Sequence, residues 1–241
     1  MGTLVQSQSA GNSANGTTLG AAFGSSVTAG NLIHVFILYR DGGEGTGHSI
    51  SDSLGNTYTL IANSNRTNRR TAHFYASNIS GGSCTVTLST PNNNSFRSLA
   101  VVEISGLDTS APLDAHSENV QDPAGTGTDA VVSGSATATA AGYLSACSIQ
   151  VEDIGAGAPP NAGTGFTNDG AVLTPVGLNQ GRLEHVSVSA GSQQATFTST
   201  YSGGGAHISL MAIFKDAGGG GATLYNRRPF DSGIFKSRMF N

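Results

Sequence analysis

Five acidic side chains stand where they could hold a cation, a sugar or a glycosidic bond. Asp41, Glu44 and Asp52 follow the apolar run Asn31–Arg40, and Glu152 and Asp153 follow a second run, 143–151. Carboxylates placed equivalently after two strands are the oxygen donors that calcium takes, and a suitably spaced pair is the acid and base of a glycosidase. The simpler explanation is that acidic and glycine residues end strands and solvate loops. No acid is embedded in the apolar surroundings that would tune its pKa. The expectation is therefore a protein that is not an enzyme, with these five residues as ligand loops at most.

The other reactive side chains support this. His34, His48, His73, His116, His185 and His207 are scattered, with no H-x-x-x-H spacing, and there is no G-x-S-x-G elbow, P-loop, EF-hand loop or Cys pair. No metal and no cofactor are expected. His34, inside an apolar run, reads as a hydrogen-bonded core residue. Cys84 and Cys147 each share a strand face with apolar neighbours and read as buried free thiols. Tryptophan is absent and Tyr58, Tyr75 and Tyr201 are isolated, which is thin for sugar stacking. The N-x-S/T triplets at Asn15, Asn65, Asn78 and Asn93 are what so Asn/Ser/Thr-rich a chain throws up by accident.

The elements that must position these residues are strands. In Asn31–Arg40, Leu32, His34, Phe36 and Leu38 point one way and Ile33, Val35, Ile37 and Tyr39 the other, so both faces are covered. Around this central strand, short candidates at 3–9, 17–23, 48–53, 57–62, 70–77, 83–90 and 97–105 are separated by Gly- and Asn-rich turns, the spacing of a sandwich or barrel. There are 34 glycines and 11% charged residues against a usual 25% or so, which leaves little helix-forming material.

The second half echoes the first. Ala29-Gly30-x-Leu32 recurs at Ala141-Gly142-x-Leu144, Gly82-Ser83 with Thr87-Leu88 recurs at Gly191-Ser192 with Thr196-Phe197, and Leu99–Ile104 recurs at Ile208–Ile213. Tandem small sandwiches and one sandwich of two pseudo-equivalent halves both fit. A half of this length has too few apolar positions to close its own core, which favours one jelly-roll-like β-sandwich over 1–217 with pseudo-repeated halves at about 26–108 and 135–217. The connection Gly106–Gly134 would cross between the halves. The echo is more polar on the face of Leu144, Ala146, Ser148 and Gln150. The extra cover over the first strand is therefore assigned to a loop, a neighbouring subunit or the C-terminal arm.

A four-glycine joint, 218–221, precedes a compositionally foreign segment, 222–241. Aromatics recur every fifth residue there as Tyr225, Phe230, Phe235 and Phe240, with Arg227, Arg228 and Arg238 between them. Period five suits neither helix nor strand and suggests an extended arm planting one ring per pocket of a partner. The last 17 residues carry +3 and the rest −7. An acidic body argues against nucleic-acid binding. No apolar run approaches a membrane span and no signal peptide is visible, so synthesis in a cytoplasm is expected.

The order T-A-G-N-L (Thr28–Leu32), S-D-S-L-G-N-T-Y-T (Ser51–Thr59), S-L-A-V-V-E-I-S-G-L-D (Ser98–Asp108) and P-L-D (Pro112–Asp114) resembles a β-sandwich found in tailed-bacteriophage structural proteins and some bacterial surface proteins. The resemblance covers the first half and reaches the second only through the internal echo. It implies a virion component, preferably a capsid decoration or head appendage docked through 222–241 onto other capsid proteins, with tail or fibre as the alternative. It also implies a homo-oligomer, a trimer being a common form of such additions. A carbohydrate-binding or adhesion module for a host-surface glycan is the alternative from another class.

Overall fold

A computed structural model describes residues 1–40, 47–66, 68–94, 96–122, 127–151, 159–176, 179–201 and 206–218. Every regular element among them is a strand. The first half supplies β1 (Thr3–Asn12), β2 (Gly16–Ala22), β3 (Leu32–Arg40), β4 (Ser49–Asp52), β5 (Thr59–Arg66), β6 (Arg69–Ala76), β7 (Thr85–Asn94) and β8 (Arg97–Ser105). The second supplies β9 (Leu113–Gln121), β10 (Gly127–Val132), β11 (Ala136–Ala138), β12 (Gly142–Val151), β13 (Asn161–Ala162), β14 (Thr167–Val176), β15 (Asn179–Val188), β16 (Gly191–Gln193), β17 (Thr196–Tyr201) and β18 (Ala206–Lys215). All pairings are antiparallel.

β3 lies at the centre of a five-stranded sheet, β1-β8-β3-β6-β5. Its two apolar faces serve two cores. Ile33, Val35, Ile37 and Tyr39 face the small sheet β2-β7-β4 and pack with Ala21, Val86 and Leu88. Leu32, Phe36 and Leu38 face the other way, into a layer shared with the second half. There, β12 is the centre of a matching five-stranded sheet, β14-β15-β12-β18-β9. Cys147, Ile149, Leu210 and Phe214 of that sheet meet Leu32, Phe36, Ala100 and Val102 of the first. The outer face of the second sheet, through Leu144, Ala146, Met211 and Ile213, packs on Val131 and Phe197 of β10-β17-β13 and on Ala138 of β11-β16.

The body therefore has four layers, small sheet, large sheet, large sheet, small sheets, in place of the two-layer sandwich expected. The apolar positions suffice because β3, β8, β12 and β18 are buried on both faces, so one strand contributes to two cores. Each fully buried aliphatic or aromatic side chain contributes roughly 1.5–3 kcal/mol, more than a typical net hydrogen bond of about 1 kcal/mol. The hydrophobic layers decide the stacking. The second face of β3 is covered by the other large sheet, not by a loop, a neighbouring subunit or the arm. The connection 106–134 is also different from expectation, because it carries β9 and β10.

The sequence echoes fall unevenly on this frame. Gly82 and Gly191 share a positive φ, +135° and +129°, and Leu88 and Phe197 both point into cores under small sheets. Leu32 and Leu144 lie on opposite faces of their sheets, as do Leu99 and Ile208. A shift of one residue along a strand exchanges the faces. The polar positions on the echo's second face are buried and paired: Ser209 Oγ donates to Ser148 Oγ at 3.1 Å, and Gln180 Nε2 to Gln150 Oε1 at 3.1 Å.

Gly142 is required by proximity, since a Cβ there would lie 2.3 Å from the carbonyl oxygen of Phe214. Gly142→Ala must push β12 and β18 apart, and a loss of about 1–3 kcal/mol is expected in the denaturant midpoint. Gly165→Ala, with open space around it but a φ of +87°, should lose less than that.

Candidate functional site

The acids of the four motifs hold backbone in place. Asp52 ends β4 and accepts hydrogen bonds from Leu54 N (2.9 Å), Asn56 N (3.1 Å), Asn56 Nδ2 (2.8 Å) and Tyr58 Oη (2.8 Å). Burial pushes its pKa up, but these four bonds outweigh burial and hold it below the usual carboxylate range. Both oxygens are occupied, so Asp52 closes its own turn and is not poised toward a ligand. Glu103, fully buried on β8, accepts from Thr28 N (2.7 Å), Asn31 Nδ2 (2.6 Å) and Gln6 Nε2 (2.7 Å), tying the T-A-G-N-L turn and β1 to the sheet. Asp108 caps the turn at Ser110 and Ala111 (2.8 and 3.1 Å to their backbone nitrogens), and Asp114 accepts from Thr139 N at 2.6 Å.

Of the other acids singled out from the sequence, Asp41, Glu44, Glu152 and Asp153 lie outside the described residues. So do Tyr225, Arg227, Arg228, Phe230, Phe235, Arg238 and Phe240 of the C-terminal segment. Asp52 is accordingly the one residue of that set with a described environment.

The structure gathers instead what the sequence scatters. His34, His73, His116 and His185 all lie at the layer between the two large sheets. His34 is fully buried, with Nδ1 3.0 Å from Ser145 Oγ of the opposite sheet and Nε2 3.2 Å from His73 Nδ1. His73 continues the row toward His116 on β9, ring centroids 6.4 Å apart, and His116 Nδ1 lies 3.5 Å from Glu118 at the rim. Burial first, and the neighbouring imidazole second, pull both buried pKa values down, that of His73 to about 3. The hydrogen-bonded core role expected for His34 is what it has.

A second ionisable group lies beside this row. Asp169 accepts a hydrogen bond from His185 Nδ1, and the ring of Tyr143 stacks on His185 at 5.0 Å and 14°. Asp169 is buried, which raises its pKa against the opposing pull of His185. Glu184, the next residue along β15, points to the opposite face, where Oε2 accepts from Gly163 N at 2.8 Å. Burial pushes its pKa up to about 8, opposed by that bond and aided by the charge of Asp169. These two acids correct the expectation that no acid is embedded. Their flanks, T-N-D-G and R-L-E-H, are polar in sequence, and it is stacked sheets that cover them. An Asp–His pair can orient an imidazole as a base. Ser145, paired across from His185, is hydrogen-bonded to His34, and among the described residues no hydroxyl or thiol is bonded to His185 to serve as nucleophile. Cys84 and Cys147 are free and buried, and burial raises both thiol pKa values. Among the described residues no cluster of three metal-ligating side chains forms.

Compared with known proteins, the chain matches no family model, no curated protein and no solved structure.

The roles of these acids are separable by stability measurements. Glu103→Ala removes the buried acceptor shared by three part-buried donors and should lower unfolding free energy by about 3 kcal/mol, whereas Asp52→Ala, at a partly exposed turn, should lose about 1–2 kcal/mol. Glu184 acts oppositely. Its folded pKa lies above the ordinary 4.5, so the folded state holds a proton that the unfolded chain releases, and stability falls as pH rises from 4.5 through 8. Glu184→Gln should therefore raise the melting temperature at pH 8 and change it less at pH 5; an equal shift at both would sink that assignment.

Proposed function

We propose that the chain is a non-enzymatic structural protein of a phage particle, a capsid decoration or head appendage attached through residues 222–241. The observation that carries this reading is the strand order. In the first half it runs β1-β8-β3-β6-β5 over β2-β7-β4; in the second it runs β9-β18-β12-β15-β14 over β10-β17-β13. Each is read as a jelly roll whose fifth long strand has joined the larger sheet, and the two as related modules stacked through those sheets. Jelly rolls recur in capsid and lectin domains. A fold alone does not assign a function. The turn-capping roles of Asp52, Glu103, Asp108 and Asp114 add to the reading, because the motifs behind the phage resemblance then specify scaffold and not chemistry.

In this proposal the body is made in the host cytoplasm, assembles as a homo-oligomer and needs no cofactor. The aromatic and basic residues of 222–241 engage another virion protein, and their net charge of +3 suits an acidic face on that partner.

Deletion of 222–241 from the phage that encodes the protein is the test. The truncated protein should keep its melting temperature and be missing from purified particles. Normal incorporation of the truncated chain would refute the docking role, and absence of the intact chain from particles would refute the virion role. A particle-free protein that binds a glycan array would move the reading to an adhesion module.

A further inference from the structure

We propose that the packing of the two halves is a proton-operated latch: protonation of the histidine row between the two five-stranded sheets opens the central layer, while each half keeps the core beneath its own small sheet. This goes beyond the role proposed above and does not depend on it.

The geometry makes the row intolerant of protons. The His34 Nε2 to His73 Nδ1 contact, 3.2 Å, needs one nitrogen to donate and the other to accept, so at most one of the two rings can carry a charge while it is made. A second proton places two cations in contact, inside a layer built from Phe36, Phe214 and aliphatic side chains. His73 Nε2 is buried with no hydrogen-bond partner among the described residues, so a proton there gains no acceptor.

The surrounding charged groups do not compensate. On β9, Glu118 is engaged with His116 at the rim, and on β14 Asp169 is engaged with His185 of β15. From β12 the row meets Ser145, with Tyr143 and Cys147 as the titratable neighbours on that face, both neutral in acid. Its own sheet adds Tyr75 of β6, and Arg66 of β5 is paired with Asp122 at 2.8 Å. β18 presents apolar side chains to the layer, and β8 adds Ala100, Val102 and Ile104 with the uncharged Ser98, whose hydroxyl donates to Ala10 O. No carboxylate among these is bonded to His34 or His73.

The sign follows from linkage. Both histidines have folded pKa values below the ordinary 6.5, so the closed form is favoured above that pH and loses ground below it, as the opened form takes up protons. Two sites that titrate normally only when open raise the opening constant roughly 600-fold between pH 7 and pH 5. Global melting is a poor readout, because Glu184 shifts stability in the opposite direction over the same range.

The two cysteines report the layers separately. Cys147 lies in the central layer and Cys84 in the first half's own core. The intact chain is exposed at pH 7, 6 and 5 to an aromatic disulfide that labels thiols in acid, with each rate divided by that of the unfolded chain at the same pH. The latch predicts a rise of several hundredfold for Cys147 with Cys84 still protected, and a flat profile for Cys147 in His34→Gln/His73→Gln. Protection of Cys147 at pH 5, parallel labelling of both cysteines, or a rise that survives in the double variant overturns it. If the double variant does not fold, the contrast between Cys147 and Cys84 in the unsubstituted protein decides alone.

Discussion

Burial of both faces of β3 is the constraint on which the remaining structure depends. A strand with alternating polar and apolar positions needs one cover; Leu32–Arg40 needs two, and each uncovered aromatic or aliphatic side chain forfeits roughly 1.5–3 kcal/mol. The small sheet β2-β7-β4 covers one face. The other is covered by a second large sheet built on β12, itself buried on both faces and therefore in need of its own small sheets. Four layers follow from two doubly buried strands placed face to face.

So much interior in a chain with few charges makes each buried polar group a tether. Glu103 gathers donors from three segments, and the buried Arg97 donates to the carbonyl oxygens of Gly16 and Ala14, the latter at 3.1 Å, holding the turn between β1 and β2. In a low-dielectric interior such groups are stabilising only while fully partnered. That is why the acids of the motifs read as structural. Their oxygens are committed to backbone nitrogens and neighbouring side chains.

The central layer is different in kind. It is closed by apolar side chains from two separate halves of the chain and interrupted by imidazoles that favour the closed state only when neutral. Among the described residues the cores beneath the small sheets hold no comparable row: His48 contacts Tyr39 and Phe74 at one edge of the first, and in the second a single buried His207 lies on the β18 face of Met211 and Ile213, with Glu184 having the reverse pH dependence. The proposed structural role and the proposed proton-sensitive seam are compatible, since a component of a particle has to be stable in one setting and able to rearrange in another.

The local sequence determined a great deal. Alternation and Gly/Asn punctuation located β2 through β8 within a few residues, divided the side chains of β3 correctly between its faces, and marked His34 and both cysteines as interior, because period-two patterning and turn chemistry act over a handful of residues. The tertiary structure decided what covers what. No local signal said that the second face of β3 would meet β12, that 106–134 would hold two strands, or that four scattered histidines would line one seam. Asp169 and Glu184 looked solvated because their sequence neighbours are polar; they are buried because a strand's environment is set by the sheets above and below it, which come from residues far away in the chain.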